Sequence, residues 1–358
     1  MNHFAAIREK LDEYGVDAML LTNEANRFYA SGFRSAGTDG AALVTREGSF
    51  YWTDSRYIEA ARQQVADAEI ELVRAGRGYA ALLAEAAERF GLKTVGFEDE
   101  YMTVAALNAY RAKVGAEFKP CTALLHTLRA VKSPEELEAL IGAQRIAERA
   151  LEEICNDLRP GVTEKEIAAK LTYLMLRYGA ENLSFDPIVA SGANGSKPHA
   201  VPSDKPLAAG EFVTMDFGCV YRGYCSDMTR TVALGAVSAE MEKVYDTVLN
   251  AQRAGIAAAK AGVPGCAVHE AAARVIEAAG YGDYFGHGFG HGVGVEIHET
   301  PNASPSWKKP LPAGAVISAE PGIYLPGRFG VRIEDVIIIK EGGCENIHTA
   351  PKELMILP

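Results

Sequence analysis

Four acidic residues set in apolar surroundings constrain this chain more than any other feature. Asp216 lies within Phe212-Val213-Thr214-Met215-Asp216-Phe217-Gly218, and Asp227 follows eleven positions later. Glu320 lies within Val316-Ile317-Ser318-Ala319-Glu320-Pro321, and Glu334 stands just before Val336-Ile337-Ile338-Ile339. Such runs read as buried strands, where a bare carboxylate costs several kcal/mol. A fold that gathers four of them needs a cation at the same place. Two divalent ions would balance the four negative charges.

The spacing points the same way. Asp216 and Asp227 are equidistant from Tyr221-Arg222, beside Gly223, and Glu320 and Glu334 are symmetric about Gly327. Two antiparallel hairpins would set each pair face to face, roughly 4.5–5.5 Å apart. That suits carboxylates sharing ions ~3.5–4 Å apart. The plainer alternative is a pair of ordinary hairpins with acids at their strand ends. It must treat two symmetric placements and a nearby histidine cluster as coincidences.

Four of the eight histidines belong to that cluster: His199, His287, His291 and His298. Three fall in a glycine-rich run, Gly286 to Glu299, whose glycines leave room for a close backbone approach. So many glycines argue against a helix and for an extended or irregular segment. A dinucleotide-binding loop is disfavoured there, since the required strand before and helix after are missing. Carboxylates with one imidazole and no thiolate suit Mn²⁺, Co²⁺, Zn²⁺ or Fe²⁺. A water bridging two such ions would lose a proton near neutral pH and become a nucleophile, so the chemistry expected is metal-assisted hydrolysis.

Composition narrows the partners. The net charge of −11 repels phosphate backbones and anionic lipid, which argues against nucleic acid and membrane partners. No apolar run approaches the ~20 residues needed to span a bilayer, and the N-terminus lacks a basic-then-apolar signal pattern. The six cysteines include no CxxC pair and read as small buried hydrophobes in a reducing cytoplasm.

Two domains are expected, residues 1–125 and 133–358, joined by a linker at Leu128–Lys132. The first reads as an α/β layer, with strands at Ala18–Thr22, Ala41–Thr45, Ser49–Thr53, Ile70–Val73, Thr94–Phe97 and near Phe118. Helices are expected at Phe4–Tyr14, Ser55–Val65, Tyr79–Phe90 and Val104–Val114. Ser133-Pro134-Glu135-Glu136 then opens a helix running to about Leu158. The second part repeats itself. Gly161-Val162, Ile167, Leu171, Leu174, Met175 and Gly179 recur 101 positions on as Gly262-Val263, Val268, Ala272, Val275, Ile276 and Gly280. Each copy follows a long helix and precedes one acidic hairpin. An α+β duplication with the metal site on its pseudo-symmetry axis is expected.

The ordered set Asp216, Asp227, His291, Glu320, Glu334 resembles the dinuclear site of the pita-bread-fold metallopeptidases. These include methionine aminopeptidase, Xaa-Pro aminopeptidase and Xaa-Pro dipeptidase (prolidase). His287–Pro301 is similar to the histidine signature of the proline-specific branch, and Ser191–His199 to its upstream histidine loop. Residues 1–125 resemble the N-terminal domain of prolidases and creatinase. The resemblance implies that Asp216 chelates one ion, Asp227 and Glu334 bridge both, and His291 and Glu320 hold the other, with Glu320 also moving protons. It implies that His199 and His298 contact the scissile peptide, that His287 lies beside the substrate proline, and that Arg332 backs a ligand or binds a carboxylate. The implied cofactor is a pair of divalent ions, Mn²⁺ first among them. Phe289 stands where Thr or an aliphatic residue is expected, and would narrow the pocket. Phe185–Ile188 and Trp307 are expected at the end of the cleft.

A creatinase-like C–N hydrolase and a non-catalytic binding module are the competing readings. Creatinase works without metal and lacks the acidic set, and non-catalytic relatives have lost ligands. The resemblance also implies a homodimer acting on peptides with proline at the second position. Trp52-Thr53-Asp54-Ser55-Arg56-Tyr57 is either part of its interface or a strand-to-helix cap.

Overall fold

The computed structural model describes residues 2–358. The chain forms two compact units, one ending at Arg129 and one spanning Ala130–Pro358.

The first unit is built on a six-stranded sheet. Its order is Glu69–Leu72, Ser49–Thr53, Gly40–Thr45, Ala18–Leu21, Thr94–Phe97, Glu117–Pro120. Both faces are covered by helices, and the period-two alternation of a strand divides the core. Met19 and Leu21 face one apolar cluster with Phe4, Ile7 and Leu124, while Ala18 and Leu20 face another with Leu82, Leu83 and Phe118. Two helices escape the sequence reading, Glu24–Ser31 and Thr122–Ala130. The second of these occupies the start of the expected linker. Three expected helices are shorter, Phe4–Lys10, Ile58–Gln64 and Val104–Arg111. Trp52 is fully buried within the sheet's core, so it cannot serve an interface. Nor does Asp54 or Ser55 cap the helix that follows, which begins after Tyr57 with no side-chain cap.

The second unit opens with the expected capping box. The Ser133 hydroxyl accepts from Glu136 N, and the Glu136 carboxylate accepts from Ser133 N at 2.8 Å, starting a helix over Pro134–Ile154. The duplication is visible in the backbone hydrogen bonds. Gly161 N donates to Leu207 O at 2.9 Å and Leu207 N to Val162 O at 2.8 Å. In the second copy, Gly262 N donates to Leu311 O at 2.9 Å and Leu311 N to Val263 O at 2.9 Å. Each copy has a helix pair, Pro134–Ile154 with Glu164–Arg177 and Ala239–Ala258 with Gly265–Ala278, packed on its own sheet.

The first hairpin pairs Glu211–Phe217 with Met228–Leu234. Val213, Met215, Phe217, Met228 and Val232 point into the first copy's core. Thr214, Asp216, Thr229 and Thr231 therefore share the opposite face, toward the second copy. Thr231 Oγ1 donates to Arg332 O at 2.9 Å, and Glu334 N donates to Thr229 O at 3.1 Å. The acids lie along this seam between two half-cores.

The register of this hairpin differs from expectation. Its turn is Arg222-Gly223, with φ of 50° and 81°, flanked by the Tyr221–Tyr224 pair. A two-residue turn of this hand needs positive φ at both positions, and Gly223 meets that need at the second. Moving the turn by one residue moves the register by two, so Asp216 opposes Thr229 and not Asp227. The two aspartates become diagonal neighbours on one face. The second hairpin keeps its expected register. Ala319 pairs with Asp335 and Gly322 with Arg332, which sets Glu320 opposite Glu334. The ladder opens at that point, because Glu320 N turns to Phe289 O at 2.8 Å and Glu334 N to Thr229 O.

Candidate metal centre and substrate cleft

A cleft of about 500 Å³ brings together all nine residues singled out in the sequence: Asp216, Asp227, His291, Glu320 and Glu334, with His199, His287, His298 and Arg332. Ligand atoms of Asp227, His291 and Glu334 lie within 4.8 Å of one another. Asp227 and Glu334 are 4% and 1% exposed, so water compensates neither.

Each side chain is held from behind. The Glu334 carboxylate accepts from Thr229 Oγ1 at 2.7 Å, and the Arg332 guanidinium donates to Asp216 Oδ2 at 2.5 Å. Ser318 Oγ donates to Glu320 Oε1 at 3.1 Å and accepts from His291 N at 3.0 Å. His291 Nδ1 faces Gly292 O at 3.1 Å, which makes Nδ1–H the donor and turns Nε2 toward the acids. Nε2 stands 3.2 Å from Glu320 Oε1 and 3.5 Å from Asp227 Oδ2. Such a nitrogen needs either a proton or a metal ion.

A second chain of bonds runs in one direction, because arginine can only donate. Arg332 Nη1 donates to Tyr324 Oη at 2.9 Å, and Tyr324 Oη donates to His287 Nε2 at 3.0 Å. His287 Nδ1 then donates to Gly288 O at 2.8 Å. With Arg332 also donating to Thr229 Oγ1, its guanidinium backs Asp216 and is 4% exposed.

The electrostatics are those of an uncompensated site. Burial, then the charge of Asp216, pushes Asp227 well above the usual carboxylate range. Burial, then Asp227, does the same to Glu334. Burial also raises Asp216, against the pull of Arg332. At His291, burial is outweighed by Glu320 and Asp227, and the imidazole is raised to about 9. At Glu320, burial is outweighed by His291, and the carboxyl falls to about 2. Burial lowers His287 and His298, keeping both neutral at pH 7. Asp216 Oδ1 and Glu334 Oε1 are buried with no hydrogen-bond partner among the described residues. Orphaned anionic oxygens beside an imidazole nitrogen fit divalent cations.

Three expectations need correction. Phe289 is fully buried in the second copy's core and packs against Gly255, so it does not narrow the cleft. Trp307 packs beside Gly265 and does not line the cleft, whereas Phe185 and Ile188 do. The room left by the glycines is taken by the protein's own strands. A Cβ on Gly290 would strike Ser318 O, and one on Gly292 would strike Glu299 O. Sequence reasoning missed Thr229, Ser318 and Tyr324. Thr229 and Ser318 were findable, each two positions from a ligand on the same strand face. Nothing in the sequence singles out Tyr324.

The geometry defines a metal-dependent hydrolase cleft, and the comparisons name its class. Residues 138–341 match metallopeptidase family M24, and residues 4–131 match the creatinase/prolidase N-terminal domain. The chain belongs to metallopeptidase family M24 and shares the pita-bread architecture of the prolidases. An uncharacterized peptidase of Bacillus subtilis is 42% identical over 98% of this chain and 99% of its own. The solved Xaa-Pro dipeptidase from Bacillus anthracis superposes with a TM-score of 0.93 at 41% identity, covering 99% of both chains. The X-Pro aminopeptidase from Thermotoga maritima superposes with a TM-score of 0.93 at 37% identity, covering 100% of both. Family membership implies divalent metal.

Removing metal should therefore have a pH-dependent effect. Asp227 and Glu334 bind protons more tightly folded than unfolded. Their contribution to the metal-free protein is full below the ordinary carboxylate range and is lost as pH rises through their folded values. Glu320 works oppositely, its contribution lost as pH falls toward 2, and that of His291 persists until pH passes about 9. The gap in melting temperature between metal-loaded and chelated protein should widen as pH rises from about 5 to about 8. Thermal unfolding across that range measures it, and a gap independent of pH would contradict the assignment.

Proposed function

We propose that this metallopeptidase cleaves the peptide bond preceding proline, in Xaa-Pro dipeptides or longer peptides. The observation that carries this reading is the co-location of the acids and His291 with His199, His287 and His298 in one cleft. Asp216, Asp227, His291, Glu320 and Glu334 would hold two divalent ions, with Mn²⁺ the expected species and Co²⁺, Zn²⁺ or Fe²⁺ as alternatives. Bound there, the ions would supply Lewis acidity and bring water's acidity near neutrality.

The chain's own residues do the rest. Glu320, ionised and steadied by Ser318, accepts the proton of the attacking water and delivers it to the departing proline nitrogen. His298, kept neutral by burial, donates to the carbonyl oxygen as negative charge develops, together with His199. His287, Phe185 and Ile188 form the wall against which the proline ring lies. Proline has no N–H, so that wall needs no acceptor for one. The complete acidic set disfavours both the metal-free creatinase-like reaction and a purely binding role.

Xaa-Pro substrates should exceed Xaa-Ala in kcat/KM by a wide margin, and equal turnover would remove the proline assignment. In the same assay, His199→Ala and His298→Ala should lower kcat ~10²–10⁴-fold with metal content unchanged. Metal lost in step with activity would mean that a ligand had been taken for a catalytic group. The protein is further read as a cytoplasmic homodimer, the first unit approaching the partner subunit's cleft. Light scattering should give twice 38.4 kDa, and a fully active monomer would exclude this assembly.

A further inference from the structure

Glu164 is a buried carboxylate that the reaction does not use. It is the first residue of the helix Glu164–Arg177, and it is 0% exposed. Its side chain folds away from that helix onto the two ends of another segment. Oε1 accepts from Ser191 N at 2.7 Å, from Ser191 Oγ at 2.9 Å and from Asn194 Nδ2 at 3.2 Å. Oε2 accepts from Ser203 Oγ at 2.6 Å, Ser203 N at 3.1 Å and Asn194 Nδ2 at 3.1 Å. Burial alone would raise this carboxyl, but the bonds from Ser203 and Ser191 outweigh it and hold it below its usual value. It is thus an anion satisfied wholly by donors of one loop.

That loop carries His199. It leaves the strand Ile188–Ser191, makes a 3₁₀ turn over Gly192–Ser196, and passes Pro198 and His199 before reaching Ser203. Its middle rests on the second copy, where Pro198 O accepts from Arg332 Nη1 at 3.3 Å and a Cβ on Gly195 would sit 3.3 Å from Gly330 N. Among the described residues, none holds the imidazole of His199 by a hydrogen bond. Its placement depends on how its loop is closed.

The other copy makes the comparison. Position 265 lies 101 residues after 164, the offset of the repeat, and it is glycine. The surrounding backbone bonds match. Glu164 N donates to Lys205 O at 3.1 Å and Lys165 N to Ser203 O at 3.2 Å. Gly265 N donates to Lys309 O at 3.3 Å and Cys266 N to Trp307 O at 2.8 Å. A Cβ on Gly265 would run into Asn302 O, so that helix sits directly against the strand Glu299–Ala303 that follows His298. One copy fixes its histidine segment by close backbone packing. The other leaves a gap at the same place and fills it with a carboxylate.

We propose that Glu164 is a positioning residue for His199, closing the 191–203 loop so that the imidazole is presented to the scissile carbonyl. The proposal rests on the catalytic role given to His199 above. The test is a double-mutant cycle of Glu164→Gln and His199→Ala, read in kcat, KM and bound metal on Xaa-Pro substrate. A glutamine keeps the shape but offers an amide N–H₂ where the loop needs an acceptor. Glu164→Gln should lower kcat about tenfold with KM and metal content little changed, and should have no further effect on kcat in the His199→Ala background. Ser203→Ala, which removes the hydroxyl's bond to Glu164 together with those it accepts from Asn194 Nδ2 and Lys205 N, should show the same non-additivity if Glu164→Gln folds poorly. Equal losses in both backgrounds, or metal falling with activity, would overturn the positioning role while leaving His199 catalytic. Unchanged kcat in His199→Ala alone would instead remove the role of His199, and the proposal with it.

Discussion

The mutual repulsion of four carboxylates at a buried seam governs this structure. Among the described residues, only Arg332 and His291 oppose them within the cleft, and Arg332 is spent on Asp216. Adjacent residues show how unusual that is. Asp335 is as deeply buried as Glu334, yet it receives Arg230 at 2.9 Å, Lys352 at 2.7 Å and Asn346 at 2.7 Å. Burial is there outweighed by His348, Arg230 and Lys352, and Asp335 is held far below the usual range. Glu334 has one threonine hydroxyl and an orphaned oxygen, and is driven the other way. One carboxylate is compensated by the protein and its neighbour is not.

The duplication explains how such a site can be built at all. Each copy buries the apolar face of its hairpin under its own helix pair. The polar faces are left to meet. Arg230 ties them by donating to Thr229 O at 3.0 Å and to Glu334 O at 2.5 Å. The interruption in the second hairpin frees the backbone N–H of Glu334 for Thr229 O of the first copy and that of Glu320 for Phe289 O of its own. The acids are therefore fixed by main chain from both copies, which favours a preformed site.

Much of this was legible in the sequence because it rests on charge and periodicity. An acid in an apolar strand is improbable alone, and four in two hairpins specify a cation. The Ser133 capping box and the 101-residue repeat are likewise local patterns with one physical reading. What was not legible depends on three-dimensional contact. Phe289 alternates with glycines, so no apolar pattern assigns it a face, and only its contact with Gly255 places it in the core. The first hairpin was misread by one turn position, since Tyr221-Arg222 and Arg222-Gly223 differ only in where positive φ falls. Tyr324 and Glu164 act through partners far away in sequence, and no spacing announces them.

Metal content and peptide hydrolysis should be followed together on the full chain, through exhaustive chelation and then titration back with Mn²⁺. If the acidic seam holds metal for hydrolysis, activity should disappear with the metal and return with it, saturating at two ions per chain. Full activity in protein verified to be free of metal would contradict it.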